Sequence, residues 1–356
     1  MSKQYKVAVL IGRFQPFHNG HLANVKKALE IADHVQILVG SSFQPRTPKN
    51  PFTYEERAEM ISRCIGPATK VLGSLEYNYR IDPLRDFKYS NNTWISAVQR
   101  IVSDGFSVSN DSDICILGYD KDESSWYNHA FPSWKFIELD GFVTHGTKPI
   151  DATKIRELYF ERHIDFVQGA VPSAVFDYLA NFMVTSQYEE LVKEYQFYRG
   201  YHKAWESAPF VPVFQTTDAV VVQGGHVLLI QRGFSPGKGL WALPGGFINP
   251  SELLEDCVIR ELVEETKIKV PEIVLRKGIT YSKVFDHPDR DLRGRTITMA
   301  YLIELNGGNG ELPRVKGSDD AKKAKWFKLS EIEDMGEYLY GDHQHIIQTM
   351  VSRAHT

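Results

Sequence analysis

The stretch Gly246–Ile268, GFINPSELLEDCVIRELVEETKI, constrains this chain more than any other. Read as a helix, it places Glu261, Glu264 and Glu265 at spacings i, i+3 and i+4, so three carboxylates leave one face. Leu253, Leu254, Val258, Ile259 and Leu262 fall on the side expected to be buried, and Cys257 reads as packing. Three anions on one face repel unless a cation sits among them. A hard divalent cation with a preference for oxygen, Mg²⁺ or Mn²⁺, meets that need. Glu252 and Arg260 accompany the cluster, and a Gly245-Gly246 turn leads into it. The bland alternative is a solvated acidic helix face, the usual fate of a charge run.

The remaining sequence sorts by hydrophobic period. Its 356 residues suffice for two or three domains. KVAVLI (6–11), VQILV (35–39) and ICIL (114–117) are short apolar runs. Helical patterns near 20–31, 53–64, 92–103 and 153–162 lie between or after them, and 172–182 reads as a closing helix. This alternation predicts an α/β fold with a doubly wound parallel sheet over 1–183. Residues 184–211 turn charged and aromatic and are expected to form a helical linker, with its helix near 186–208. That helix is either a spacer or a contact between copies of a homo-oligomer. From 212 to 356 the pattern is β-rich. Val213–Val222 and Val227–Gln231 flank Gly224-Gly225 and read as a hairpin. A Gly/Pro-rich loop, 233–246, precedes the acidic helix. Further strands are expected near 273–284, 295–305 and 324–329, and a last helix over 342–353.

A net charge of −4 carries no electrostatic footprint for nucleic acid, and Lys322, Lys323 and Lys325 read as solvated surface. No apolar run is long enough to span a membrane. The start, MSKQYKVAVLIG, lacks the features of a signal peptide. Cys64, Cys115 and Cys257 form no paired motif, so neither a disulfide framework nor a zinc site is suggested. A reduced, cytoplasmic protein is expected.

Directly after the first apolar run comes Gly12-Arg13-Phe14-Gln15-Pro16-Phe17-His18-Asn19-Gly20-His21. Two histidines spaced i, i+3 open a helix whose positive end favours phosphate. Imidazole N–H groups can stabilise charge developing on phosphate oxygens. The end of a first strand is also where doubly wound sheets bind ligands.

This segment resembles the nucleotidylyltransferase superfamily, which carries His-x-Gly-His here. Its second motif, Ile-Ser-Ser-Thr-x-x-Arg, appears as Ile150-Asp151-Ala152-Thr153-Lys154-Ile155-Arg156, with Asp151 and Ala152 in place of the serines. RTPKNPFTYEER (46–57), Asn92-Thr93-Trp94 and Gly118-Tyr119-Asp120-Lys121-Asp122 are similar to segments of archaeal-like nicotinamide mononucleotide adenylyltransferases. The resemblance covers about 5–180. It implies ATP and nicotinamide mononucleotide as substrates, with Mg²⁺ on the triphosphate. It implies phosphate contacts from His18, His21, Arg13 and Arg156, and substrate contacts from Gly12, Phe14, Arg46, Asn50, Gly118, Asp120 and Thr153. It also implies Trp94 against the nicotinamide ring. By itself Trp94 reads equally as core or as an indole that stacks on a pyridinium.

The acidic segment resembles the Nudix box through Gly246, Glu252, Arg260, Glu261, Leu262, Glu264, Glu265 and Ile268, with Lys267 where the family has Gly. This implies an α/β/α sandwich with a mixed sheet, Mg²⁺ or Mn²⁺ held by Glu261, Glu264 and Glu265, and catalysis by Glu264 and Glu265. Arg232-Gly233, Val284-Phe285-Asp286 and residues 290–295 followed by 296–300 resemble the ADP-ribose-cleaving Nudix group, which implies that Arg232 and Arg295 help select ADP-ribose. In this order the two halves resemble bacterial bifunctional adenylyltransferase–Nudix proteins. One alternative is adenylyl transfer to phosphopantetheine or flavin mononucleotide, with a Nudix half acting on NADH. Another is a ligand-sensing regulator, which is expected to lack the box acids and to carry a basic DNA-binding element.

Overall fold

The computed structural model describes residues 3–71, 76–119, 123–139, 151–305 and 311–353. Two compact units divide the chain, Met1–Val192 and Lys193–Thr356. Asp120, Lys121, Asp122 and Ile150 lie outside the described residues.

In the first unit the chain runs β1 (Tyr5–Gly12), α1 (Asn19–Ile31), β2 (Ala32–Ser42), α2 (Tyr54–Ile65), β3 (Tyr79–Arg85), α3 (Asn91–Gly105), β4 (Ile114–Gly118), β5 (Lys135–Glu138), α4 (Ala152–Phe160) and α5 (Ser173–Phe182). The strands form one parallel sheet in the order β3-β2-β1-β4-β5. Its order reverses between β1 and β4, whose carboxyl ends carry Gly12 and Gly118. That reversal opens a crevice where such sheets take ligands. β1, β2 and β4 are buried runs, which is why their apolar sequences signal them. The strands that periodicity does not reveal, β3 and β5, are the two sheet edges. β3 carries Arg80, Asp82 and Pro83, and β5 has only four residues. Edge strands need no continuous apolar run and tolerate proline. Helix α6 (Ser186–Ala204) occupies the stretch expected to be helical, and its residues from Lys193 onward belong to the second unit.

The second unit contains β6 (Val213–Gln223), β7 (His226–Arg232), β8 (Trp241–Ala242), β9 (Gly245–Phe247), α7 (Leu254–Thr266), α8 (Glu272–Lys277), β10 (Ile279–Phe285), β11 (Arg295–Glu304), β12 (Ala321–Lys328) and α9 (His343–Arg353). Its mixed sheet has the order β10-β11-β6-β7-β12, with β8 on β7 and β9 on β6. The β6–β7 hairpin turns at Gly224 and Gly225, both at positive φ. α7 buries Val258, Ile259 and Leu262 against Ala219, Val221 and Leu228 of the sheet. Lys322, Lys323 and Lys325 are exposed on β12, an edge where charge discourages pairing with other chains.

Two expectations need correction. Leu253 is not on a buried face, because it precedes the first turn of α7 as its cap residue and is 73% exposed. Residues 272–277 form helix α8 rather than the start of a strand. Pro271 starts it, Glu272 sits at its amino end, and Arg276 bonds Glu272 four residues back. These local terms outweigh the β-branched Ile273-Val274 pair.

Candidate active sites

In the first unit His18 caps α1 and His21 stands in its first turn. Each backbone N–H meets the other's ring: His18 N donates to His21 Nδ1 at 3.2 Å and His21 N to His18 Nδ1 at 3.4 Å. The rings stack with centroids 3.6 Å apart. With both Nδ1 atoms accepting, each neutral ring carries its hydrogen on Nε2. Phe14, at φ 52°, folds its ring back edge-on to His21, so that a side chain at Gly12 would lie 2.9 Å from that ring.

Arg156, on α4, is buried. It donates to the Gln15 carbonyl at 2.8 Å and to Thr153 Oγ1 at 3.2 Å. Burial, and then the neighbouring Arg13, lower its pKa to about 10. The loop after β1 and the start of α4 are thus joined. Asp151 takes the cap position of α4 and accepts from Thr153 N at 2.8 Å, so the serine replacement keeps the capping bond.

The other expected residues divide by partner. Arg46 is held by Glu56 at 2.5 and 2.8 Å and lies over the Phe182 ring. Asn50 donates its backbone N–H to Thr47, while its Oδ1 is buried with no hydrogen-bond partner among the described residues. Trp94 packs on the core beside Trp126, Tyr127 and Phe131. Gly118 abuts the buried Asn128, whose side chain donates to the Tyr119 carbonyl at 3.0 Å.

Two residues that motif reading left without a role tie the loops together. Arg57 is buried and donates to the carbonyls of Arg13 at 2.7 Å and Gly40 at 2.6 Å. Gln15 pairs its amide with both backbone groups of Phe52, at 2.9 and 3.0 Å. Both lie inside motif segments, but only their burial separates them from ordinary polar residues.

In the second unit Arg260 gathers the acids. It holds Glu252 through two bonds of 2.6 and 2.9 Å, Glu261 at 2.7 Å and Glu264 at 3.0 Å. That pairing pulls the Glu252 carboxyl down to about 2. Glu265 is buried instead and takes one N–H, from Gly245, at 2.9 Å. Burial pushes its pKa up to about 8 and raises that of Glu261 as well. A side chain at Gly246 would lie 2.5 Å from Glu261 Oε1, so any larger residue there would push that carboxylate aside. Lys267 ends α7 in the left-handed conformation at φ 43°, the geometry that the family's glycine supplies.

As they lie, no three His, Cys, Asp or Glu side chains among the described residues form a ready ligand set for a metal. The donors nevertheless fit a hard dication. Glu261, Glu264 and Glu265 each engage one oxygen in the bonds above, and two of the three carboxyls are buried enough to disfavour their own charge.

Arg232 donates to the Pro236 carbonyl at 2.7 Å and lies 4.3 Å over the Tyr340 ring. Arg295 bonds the Asp286 carbonyl. Sequence reading placed Arg290 among substrate-selecting residues, but its side chain belongs to a buried network. There Arg290 pairs with Asp342 at 3.0 and 3.1 Å, Thr298 donates to Asp218 at 2.7 Å, and Leu243 N donates to His343 Nδ1 at 2.8 Å. Its members are scattered from 218 to 343 and carry no local signal.

The cytidylyltransferase-like family matches residues 9–158 and the NUDIX domain family matches residues 213–349. The chain is 31% identical over 193 residues to a nicotinamide/nicotinic acid mononucleotide adenylyltransferase of Acinetobacter baylyi, covering 54% of this chain and 95% of that protein. It is 36% identical over 131 residues to an ADP-ribose pyrophosphatase of Methanocaldococcus jannaschii, covering 37% of this chain and 69% of that protein. A crystal structure of a bifunctional NMN adenylyltransferase/ADP ribose pyrophosphatase from Francisella tularensis matches with a TM-score of 0.86 and 35% identity, over 98% of this chain and 99% of that one. The same Francisella enzyme has also been solved with AMP and a manganese ion. With both halves matched in one continuous alignment, this chain belongs to the family of bifunctional NMN adenylyltransferase/ADP-ribose pyrophosphatases.

Proposed function

We propose that the first unit transfers AMP from ATP to nicotinamide mononucleotide, giving NAD and pyrophosphate. The observation that carries this is the stacked His18–His21 pair opening α1 next to the strand-order reversal, on a loop whose Gln15 carbonyl is bonded by Arg156. The mononucleotide phosphate oxygen attacks the α-phosphorus of ATP, and the bond to the β-phosphate oxygen breaks. The substrate supplies its own nucleophile, so the protein aligns attacker and leaving group and offsets charge. The Nε2–H groups of His18 and His21 and the guanidinium groups of Arg13 and Arg156 would do so. Among these residues there is no carboxylate, so Mg²⁺ would arrive on the triphosphate. Phe14, Gly12, Thr153, Asn50, Arg46, Trp94, Gly118 and Asp120 are proposed substrate contacts. Of these, Arg46 is already paired with Glu56. The test is NAD formation from nicotinamide mononucleotide, ATP and Mg²⁺. A folded protein that makes none, yet releases pyrophosphate with another phosphate acceptor, refutes the assignment.

The second unit is proposed to hydrolyse ADP-ribose to AMP and ribose 5-phosphate. The buried Glu265 beside Glu261, at the close approach of Gly246, carries this assignment. A divalent metal held by Glu261, Glu264 and Glu265 would polarise the pyrophosphate and acidify an attacking water. Arg260 and Glu252 keep those acids on one face, and Arg232 and Arg295 are proposed substrate contacts. The test is AMP release from ADP-ribose with Mg²⁺ or Mn²⁺. Cleavage of NADH with no action on ADP-ribose refutes it. The three cysteines, all unpaired, are consistent with a cytoplasmic setting.

A further inference from the structure

Helix α6 begins before the segment that the NUDIX family model matches, yet its later turns are built into the hydrolase unit. Glu194, Tyr198, Tyr201 and His202 fall at i, i+4, i+7 and i+8, one face of the helix. Each meets a different part of that unit. Glu194 Oε1 accepts from Gly237 N at 2.8 Å, in the glycine-rich loop that leads to β8 and the acids. His202 Nε2 lies 2.8 Å from the Leu292 carbonyl, in the loop between β10 and β11. Tyr198 is buried between them, within electrostatic reach of Tyr340, Asp291 and Arg293. Tyr201 packs edge-on to Phe214 of β6.

The Gly237 contact has a clear consequence for Arg232. Gly237 lies at φ 72°, and a side chain there would be 2.4 Å from the Tyr340 ring. Arg232 rests on that same ring and bonds the carbonyl of Pro236, the preceding residue. One carboxylate on α6 therefore braces, at Gly237, the loop that holds Arg232, together with that loop's own bonds from Gly239 N to the Arg232 carbonyl and from Arg232 N to the Leu240 carbonyl. We infer that α6 is part of the hydrolase's substrate-recognition machinery, with Glu194 as a positioning residue for the loop 233–240 and for Arg232. This rests on ADP-ribose hydrolysis as the activity of this unit.

The test compares Glu194→Ala and Glu194→Gln in the full chain. Glutamine keeps an Oε1 acceptor for Gly237 N; alanine does not. The alanine variant is expected to raise KM for ADP-ribose about tenfold, the loss expected of a charge-assisted hydrogen bond, with kcat within about twofold. The glutamine variant should restore most of that loss, and NAD formation should not change in either. Amide exchange should rise over 233–240 in the alanine variant while α7 stays protected. An unchanged KM with unchanged exchange overturns the inference. So does a fall in α7 protection together with the loop, since Glu194 would then be only a fold contact. If the wild-type chain ignores ADP-ribose, the functional assignment fails instead, and the exchange comparison still decides whether Glu194 orders the loop.

Discussion

Glu265 is the residue on which stability and the proposed chemistry pull in opposite directions. Its carboxyl is 6% exposed, takes one backbone N–H, and has its pKa pushed up to about 8 by burial. A carboxyl raised in the fold leaves stability fully present below its unfolded value near 4.5, and that stability is lost as pH rises toward about 8. At pH 7 the metal-free fold therefore gives up about 3 kcal/mol, and above pH 8 about 5 kcal/mol, on this one group. Replacement by Gln keeps the shape and an acceptor for Gly245 N but buries one more N–H than the protonated carboxyl, at a cost of about 1 kcal/mol. Metal-free Glu265→Gln should thus be more stable than wild type by about 2 kcal/mol at pH 7, with a flatter pH dependence, and should lose ADP-ribose hydrolysis. The assay is amide exchange of α7 in the full chain with EDTA, in a urea series at pH 6 and pH 8.5, corrected for intrinsic exchange rates. Divalent metal should protect wild-type α7 and leave the variant nearly unmoved. A variant less stable than wild type at pH 8.5 in EDTA, or metal protection that survives the substitution, would refute the reasoning.

Three further outcomes are expected. His21→Ala should lower kcat for NAD formation by about a hundredfold or more with a smaller change in KM, since its donor matters most as charge develops; a steady-state assay with an unchanged kcat sinks the role. Arg57→Met should destabilise the first unit by about 3 kcal/mol or more, because the buried carbonyls of Gly40 and Ser41, with that of Arg13, lose their donor; thermal unfolding within about 1 kcal/mol of wild type contradicts this. Lys267→Gly should stabilise the second unit by about 1 kcal/mol by relieving the left-handed conformation, which chemical denaturation can measure.

The acidic helix, the His-x-Gly-His turn and the β1, β2 and β4 runs were legible because their meaning lies in spacing along one segment. Glu261, Glu264 and Glu265 share a face wherever that helix is placed, whereas the left-handed Lys267 at its end was not certain from a lysine. The edge strands β3 and β5 and helix α8 were not legible in the same way. An edge strand needs no apolar run, and α8 owes its state to a proline start and ion pairs.

Within the candidate sites, residue type was written in the sequence and residue condition was not. Nothing local says that Glu265 is buried while Glu264 stays partly exposed, or that Arg260 binds three acids at once. Nor does it say that Arg46 spends its charge on Glu56, or that Arg57 and Gln15 clamp loops about forty residues apart. Motif spacing is covalent, so the available chemistry could be read from residue order alone. Only the tertiary structure decided which groups lose water and which partners they meet, because desolvation and pairing depend on segments brought together from far along the chain.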